Sequence, residues 1–130
     1  MTRILLVCLG GFIGTGARYG LNGVISQRFG ETFPLGTLVI NILGSFVIGV
    51  VFVATGPDSP VLVSAEVRQF LMIGILGGFT TFSSFSLQTL TLLREGDVGA
   101  AILNVTLSIV VGLLAAWAGE QVAGTIWLSR

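Results

Sequence analysis

Histidine and lysine are both absent from this 130-residue chain, and cysteine occurs once, at Cys8. Without His, the commonest general base and metal ligand is missing. One Cys permits neither an intrachain disulfide nor a multi-cysteine metal site. Charge is scarce too: six Arg supply every basic group, six acids balance them, and charged residues make up 9% of the chain. A soluble domain carries about 25%, so this chain cannot clothe a water-facing surface. Zero net charge leaves no basic patch for a nucleic acid. The absences argue against a soluble enzyme and for a membrane protein with no nucleic-acid partner.

What is present is apolar length. Hydrophobic residues make up 53% of the chain, and residues 32–57, 69–93 and 98–119 contain no charge at all. Each run exceeds the ~20 residues a helix needs to cross the hydrocarbon core. A fourth stretch, from Ile4 to about Ser26, is interrupted only by Arg18. The pattern predicts helices over about 4–26, 35–55, 68–93 and 99–126. Residues 1–130 therefore read as one all-α membrane domain of four transmembrane helices, both termini on one side. Arg3 followed by an apolar run has the flavour of a secretory signal, but Gly10, Gly11, Gly14 and Gly16 carry the pattern on without a cleavage site.

Orientation follows the Arg and Lys bias of short loops. Arg3, Arg68 and Arg130 fall on the terminal side, against Arg28 and Arg94, joined by Arg18 if it reaches the interface. The bias is one residue or none. Such a chain is free to insert both ways up, unless features outside this rule fix it.

Small and polar residues decorate the spans. Gly10 and Gly14, Gly16 and Gly20, Gly74 and Gly78, and Ser45 and Gly49 are each four apart, the spacing that lets membrane helices approach closely. Thr37, Asn41 and Ser45 share one face of the second helix, and Asn104, Ser108 and Gly112 one face of the fourth. An amide in hydrocarbon needs partners, so the two Asn either join helices or line a wet path.

The third span is the most unusual. Gly77-Gly78-Phe79-Thr80-Thr81-Phe82-Ser83-Ser84-Phe85-Ser86 is a poor continuous helix. A break near Gly77–Thr81 would free carbonyls to line a cavity or bind a cation. The alternative is a tightly packed Gly/Ser helix with Phe facing lipid. Phe82 and Phe85, three apart, share a face, flanked by Ser83, Ser84 and Ser86. No carboxylate lies centrally in the uncharged runs. Hydroxyls, Asn amides, Arg18 and the positive edges of phenyl rings form a donor set suited to a small anion.

Three motifs carry a resemblance: Gly14-x-x-x-Arg18-Tyr19, Gly36-Thr37-Leu38-x-x-Asn41-x-x-Gly44-Ser45-Phe46, and the third-span stretch from Gly77 to Ser86. In order and spacing they resemble the Fluc (CrcB) family of fluoride channels. The resemblance implies passive export of fluoride across the inner membrane of a prokaryote. It also implies an antiparallel, dual-topology homodimer, two pores along the subunit interface, and a break in the third helix. By the same likeness Phe82 and Phe85 are the pore phenyls, Asn41 reaches the pore, and Ser83 and Ser84 offer hydroxyls beside the rings. Arg18 would stand near the aqueous vestibule, and the Gly77 and Thr80 carbonyls would hold a structural Na⁺ shared by the subunits. The family's fourth-helix polar track has candidates here in Asn104, Thr106 and Ser108. Some family members pair two different chains; the intact third-span motif favours a homodimer.

Two other classes compete. A small dual-topology, proton-coupled multidrug-type transporter needs a Glu in its first helix, where this chain has Arg18 and no acid. A purely structural helix-packing subunit would explain the Gly and Ser residues without a pore.

Overall fold

The computed structural model describes residues 2–59 and 61–127. Helix α1 spans Thr2–Phe29 and α2 spans Leu35–Ala54. The third span is built in pieces: α3 (Ala65–Gln69), a π-helical segment Phe70–Leu76, α4 (Gly77–Phe79) and α5 (Phe82–Arg94). Helix α6, Val98–Trp127, completes four spans long and apolar enough to cross a membrane. Among the described residues there is no strand. The first, third and fourth spans extend the expected bounds by one to three residues at each end, because polar end residues continue a helix beyond the apolar run that signals it, and α2 ends one residue short of the expected 55.

Local chemistry sets the ends. Gly30 takes positive φ after α1 and donates its N–H to the Ser26 carbonyl at 2.9 Å. After α5, Gly96 (φ 84°) donates to the Leu93 carbonyl and Asp97 to that of Leu92, the paired closure that a left-handed glycine permits. Asp97 then turns round: its Oδ1 accepts the Ala100 N–H at 2.9 Å and caps the start of α6. Three residues thus reverse the chain. At the opposite end Ser64 caps α3 by accepting the Val67 N–H.

Arg3 pairs with Glu66 at 2.7 Å, so α1 and the third span start at the same end and run in parallel. That end also carries Arg68, whose guanidinium lies over the Phe52 ring and reaches the Thr55 carbonyl. Arg28 and Arg94 close α1 and α5 at the other end, and Arg130 lies outside the described residues.

Two glycine seams hold the bundle. Gly10 and Gly14 of α1 lie against the backbone of Gly74 and Ile75, and Gly78 lies against Gly11. Gly49 of α2 lies against the Ala116 carbonyl and Gly119 of α6 against the Phe46 carbonyl. The close-packing expectation holds for Gly10, Gly14, Gly74, Gly78 and Gly49. Gly16 and Gly20 face open space within this chain. Most large apolar side chains point outward, Phe12 at 81% exposure among them, as in a bundle whose surroundings are apolar.

A side chain at Gly14 would overlap the Ile75 carbonyl. Gly14→Val is therefore expected to lower stability by ~1–3 kcal/mol, measured by thermal unfolding in detergent. Gly124→Ala, where nothing stands within 4 Å, serves as the control and should not lower it.

Candidate functional site

Two adjacent β-branched residues, following two glycines, leave helical geometry in the third span. Thr80 has φ −84° and ψ 161°, and Thr81 has φ −152° and ψ 115°. Branching at Cβ favours extended backbone, and Thr is a good helix N-cap. Thr81 fills that role: its Oγ1 accepts the Ser84 N–H at 3.2 Å and donates to Ser84 Oγ at 3.1 Å.

An extended peptide at this depth needs hydrogen-bond partners. Asn41 supplies both. Its Nδ2 donates to the Thr81 carbonyl at 3.0 Å, and its Oδ1 accepts the Thr81 N–H at 2.8 Å. The amide thus treats Thr81 as a neighbouring strand would. Gly44, one turn along α2, leaves the space that the Thr80 methyl occupies. Asn41 is therefore a helix-joining residue, and it also lines the cavity described next.

The rearrangement redirects backbone donors. Thr81 N–H, the helical partner of the Gly77 carbonyl, is turned to Asn41. Ser84 N–H, the partner of the Thr80 carbonyl, sits on Thr81 Oγ1. Gly77 itself is exposed within one chain.

Phe82 opens α5 and Phe85 follows one turn later, their ring centroids 5.5 Å apart and tilted by 47°. Both rings line a cavity of about 330 Å³ with Asn41, Ser45, Thr81 and Ser108; Gly77 and Thr80 border it as well. Arg18 and Ser84 line a separate cleft of about 260 Å³, together with Thr15, Thr37 and Gln88. Thr81 belongs to both spaces. A third cavity, about 540 Å³, opens at the loop end between Glu31 and Glu95 and shares Asn22, Thr37 and Gln88 with the Arg18 cleft. Shared lining residues thus link the three from the loop end to the Phe pair, and the Phe cavity is the most apolar of them, with Asn41, Ser45, Thr81 and Ser108 among its polar side chains. Arg18 is half-buried and has no carboxylate within ion-pair distance among the described residues.

Ser83 is exposed, its hydroxyl 3.4 Å from Thr81 Oγ1. Of the fourth-helix candidates, Ser108 faces the Phe cavity, Asn104 is buried against α5, and Thr106 is exposed. Ser108 Oγ is buried without a hydrogen-bond partner, and so is Gln88 Oε1. Sequence reasoning passed over Gln88. The signal was available: Thr81, Ser84 and Gln88 follow one another at helical spacing on a single face of α5.

A multi-span helical membrane protein with linked cavities, each carrying a few polar side chains, is what this fold and site define. The family model for CrcB-like protein, Camphor Resistance (CrcB), matches residues 5–120. A relative from Opitutus terrae, named fluoride-specific ion channel FluC, is 53% identical over 95% of this chain and 93% of its own. A relative of the same name from Rhodospirillum rubrum is 53% identical over 89% of this chain and 90% of its own. A third, from Thermus thermophilus, is 44% identical over 97% and 98%. The chain belongs to the CrcB family.

Replacing Asn41 tests the clasp. Asn41→Asp keeps the shape but sets a carboxylate oxygen against the Thr81 carbonyl; Asn41→Leu removes both bonds. Either is expected to destabilise the protein by ~1–3 kcal/mol and to speed hydrogen exchange at the Thr81 amide, read by mass spectrometry on peptides covering residues 77–86.

Proposed function

We propose that this protein is a fluoride-specific channel that lets the ion leave the cell passively. The observation that carries the reading is the single cavity in which Phe82, Phe85, Asn41 and Ser108 meet. The names of the relatives support it, and so does the donor chemistry. Fluoride is small and strongly hydrated, so a selective path must replace its water with close donors. Hydrogen bonds to a charged group contribute ~1.5–3 kcal/mol each after solvent exchange, and phenyl edges add positive polarity. Several weak sites in series let the ion move on.

The residues divide the work along the chain of cavities. Arg18, without a carboxylate partner, draws the anion from the vestibule into the cleft. Thr37, Ser84 and Gln88 offer exchangeable polar contacts there; the Gln88 amide can present N–H by rotating half a turn. Thr81 joins this cleft to the Phe cavity. In that cavity Phe82 and Phe85 offer ring edges, with Asn41 and the unpartnered Ser108 hydroxyl beside them and Ser83 close by.

In our reading the chain is one four-span channel domain that works in the inner membrane of a prokaryote. It assembles as an antiparallel homodimer, a proposal supported by the near-absent Arg bias and by the exposure of Phe82, at 79% within one chain. Residues Thr80–Thr81 are the break in the third helix. The Gly77 and Thr80 carbonyls, their helical donors turned elsewhere, suit a hard monovalent cation such as Na⁺, held jointly with the second subunit. Such an ion would offset the carbonyl charge and tie the subunits together. A proton-coupled transporter is disfavoured, because α1 carries no carboxylate.

Purified protein in liposomes, monitored with a fluoride electrode and chloride in parallel, tests the reading. The expected result is rapid fluoride release with chloride retained, abolished by Phe82→Ile. Well-folded protein that releases no fluoride would overturn it.

A further inference from the structure

Helix α5 carries both Phe rings yet has little support. It packs chiefly on α6 and meets α2 only sparingly, and Leu92 is its one buried side chain. The Asn41 clasp secures its N-terminus and Leu92 its far end. Between them stands a single side-chain link to α6. Asn104 Nδ2 donates to Thr89 Oγ1 at 2.9 Å, and that hydroxyl donates to the Phe85 carbonyl at 2.8 Å. A Thr hydroxyl has one proton to give. Given to Phe85, it leaves the oxygen lone pairs to take the Asn104 N–H, so the direction of the relay is fixed. Such chains polarise their members and strengthen one another. Asn104 is only 2% exposed and is one of the two largest fully buried side chains, and it lines none of the three linked cavities.

We propose that Asn104 is a positioning residue for conduction: through Thr89 it sets the height and rotation of α5 at Phe85 without meeting the ion itself. The proposal rests on the reading of Phe85 as a ring that faces the ion. It differs from the polar-track expectation for Asn104, because the amide is spent on α5.

The test compares Asn104→Leu, Thr89→Val, the double variant, Thr89→Ser and Phe85→Ile in liposomes, with fluoride release normalised to folded protein. Asn104→Leu and Thr89→Val are each expected to slow release roughly fivefold to tenfold. The double variant should be no slower than the slower single one, since both cut the same relay. Thr89→Ser, which keeps the hydroxyl, should release fluoride at close to the unmodified rate. If Asn104→Leu fails to fold, Thr89→Val against Thr89→Ser carries the test alone. Multiplicative losses in the double variant, or an unmodified rate in Thr89→Val, would overturn the relay. Lower yield with an unmodified rate per folded protein would reduce Asn104 to a packing role and overturn it too. An unmodified rate in Phe85→Ile would remove the ring reading, and the proposal with it.

Discussion

A single side-chain amide governs the middle of this molecule. Two extended residues in a membrane-spanning segment expose a peptide group that hydrocarbon cannot satisfy. Asn41 meets both of its polar atoms at once, with bonds of 3.0 and 2.8 Å to Thr81. Almost everything distinctive about the site follows from that contact. It lets Thr81 cap α5, which fixes where Phe82 and Phe85 stand in sequence along the new helix. It also turns away the donor that the Gly77 carbonyl would otherwise have had. The polar stripe of α2 and the Gly-Gly-Phe-Thr-Thr stretch of the third span are thus two halves of one device.

The glycine seams give that device its frame. Backbone meets backbone along α1 and the third span, and again along α2 and α6. Contacts this close depend on van der Waals packing, the main attraction available between helices when the surroundings are as apolar as the side chains. They leave the larger apolar residues free to face outward. The cavities then fall where neither seam reaches, between α2, α5 and the polar faces of α1 and α6.

Much of this was legible in the amino-acid sequence, for identifiable reasons. Uncharged runs longer than a bilayer is thick are an unambiguous signal: three spans were readable from them, and the first from an apolar stretch broken only by Arg18. Phe82, Phe85 and Asn41 stood out because rings and amides are conspicuous at such spacing, and the structure brings them to one cavity. What could not be read was partnership. Asn41 and Asn104 looked alike as amides on polar stripes, yet one clasps a peptide and lines a cavity while the other is buried against Thr89. Spacing shows which face a residue occupies, not which neighbour completes its hydrogen bonds. Gln88 drew no notice because it lies just outside the Gly77–Ser86 motif, among alternating Leu and Thr residues. Gly16 and Gly20 matched the packing pattern as well as Gly10 and Gly14 did, but only the latter pair meets another helix in this chain.

The parallel arrangement of the seams has a mechanical consequence. Two helices locked backbone to backbone move as one body, since there are no long side chains between them to absorb a displacement. The seams therefore make two stiff plates, α1 with the first half of the third span and α2 with α6, and leave α5 outside both. Asn41 ties the start of α5, at Thr81, to the second of these plates, and the Phe pair sits beside that tie.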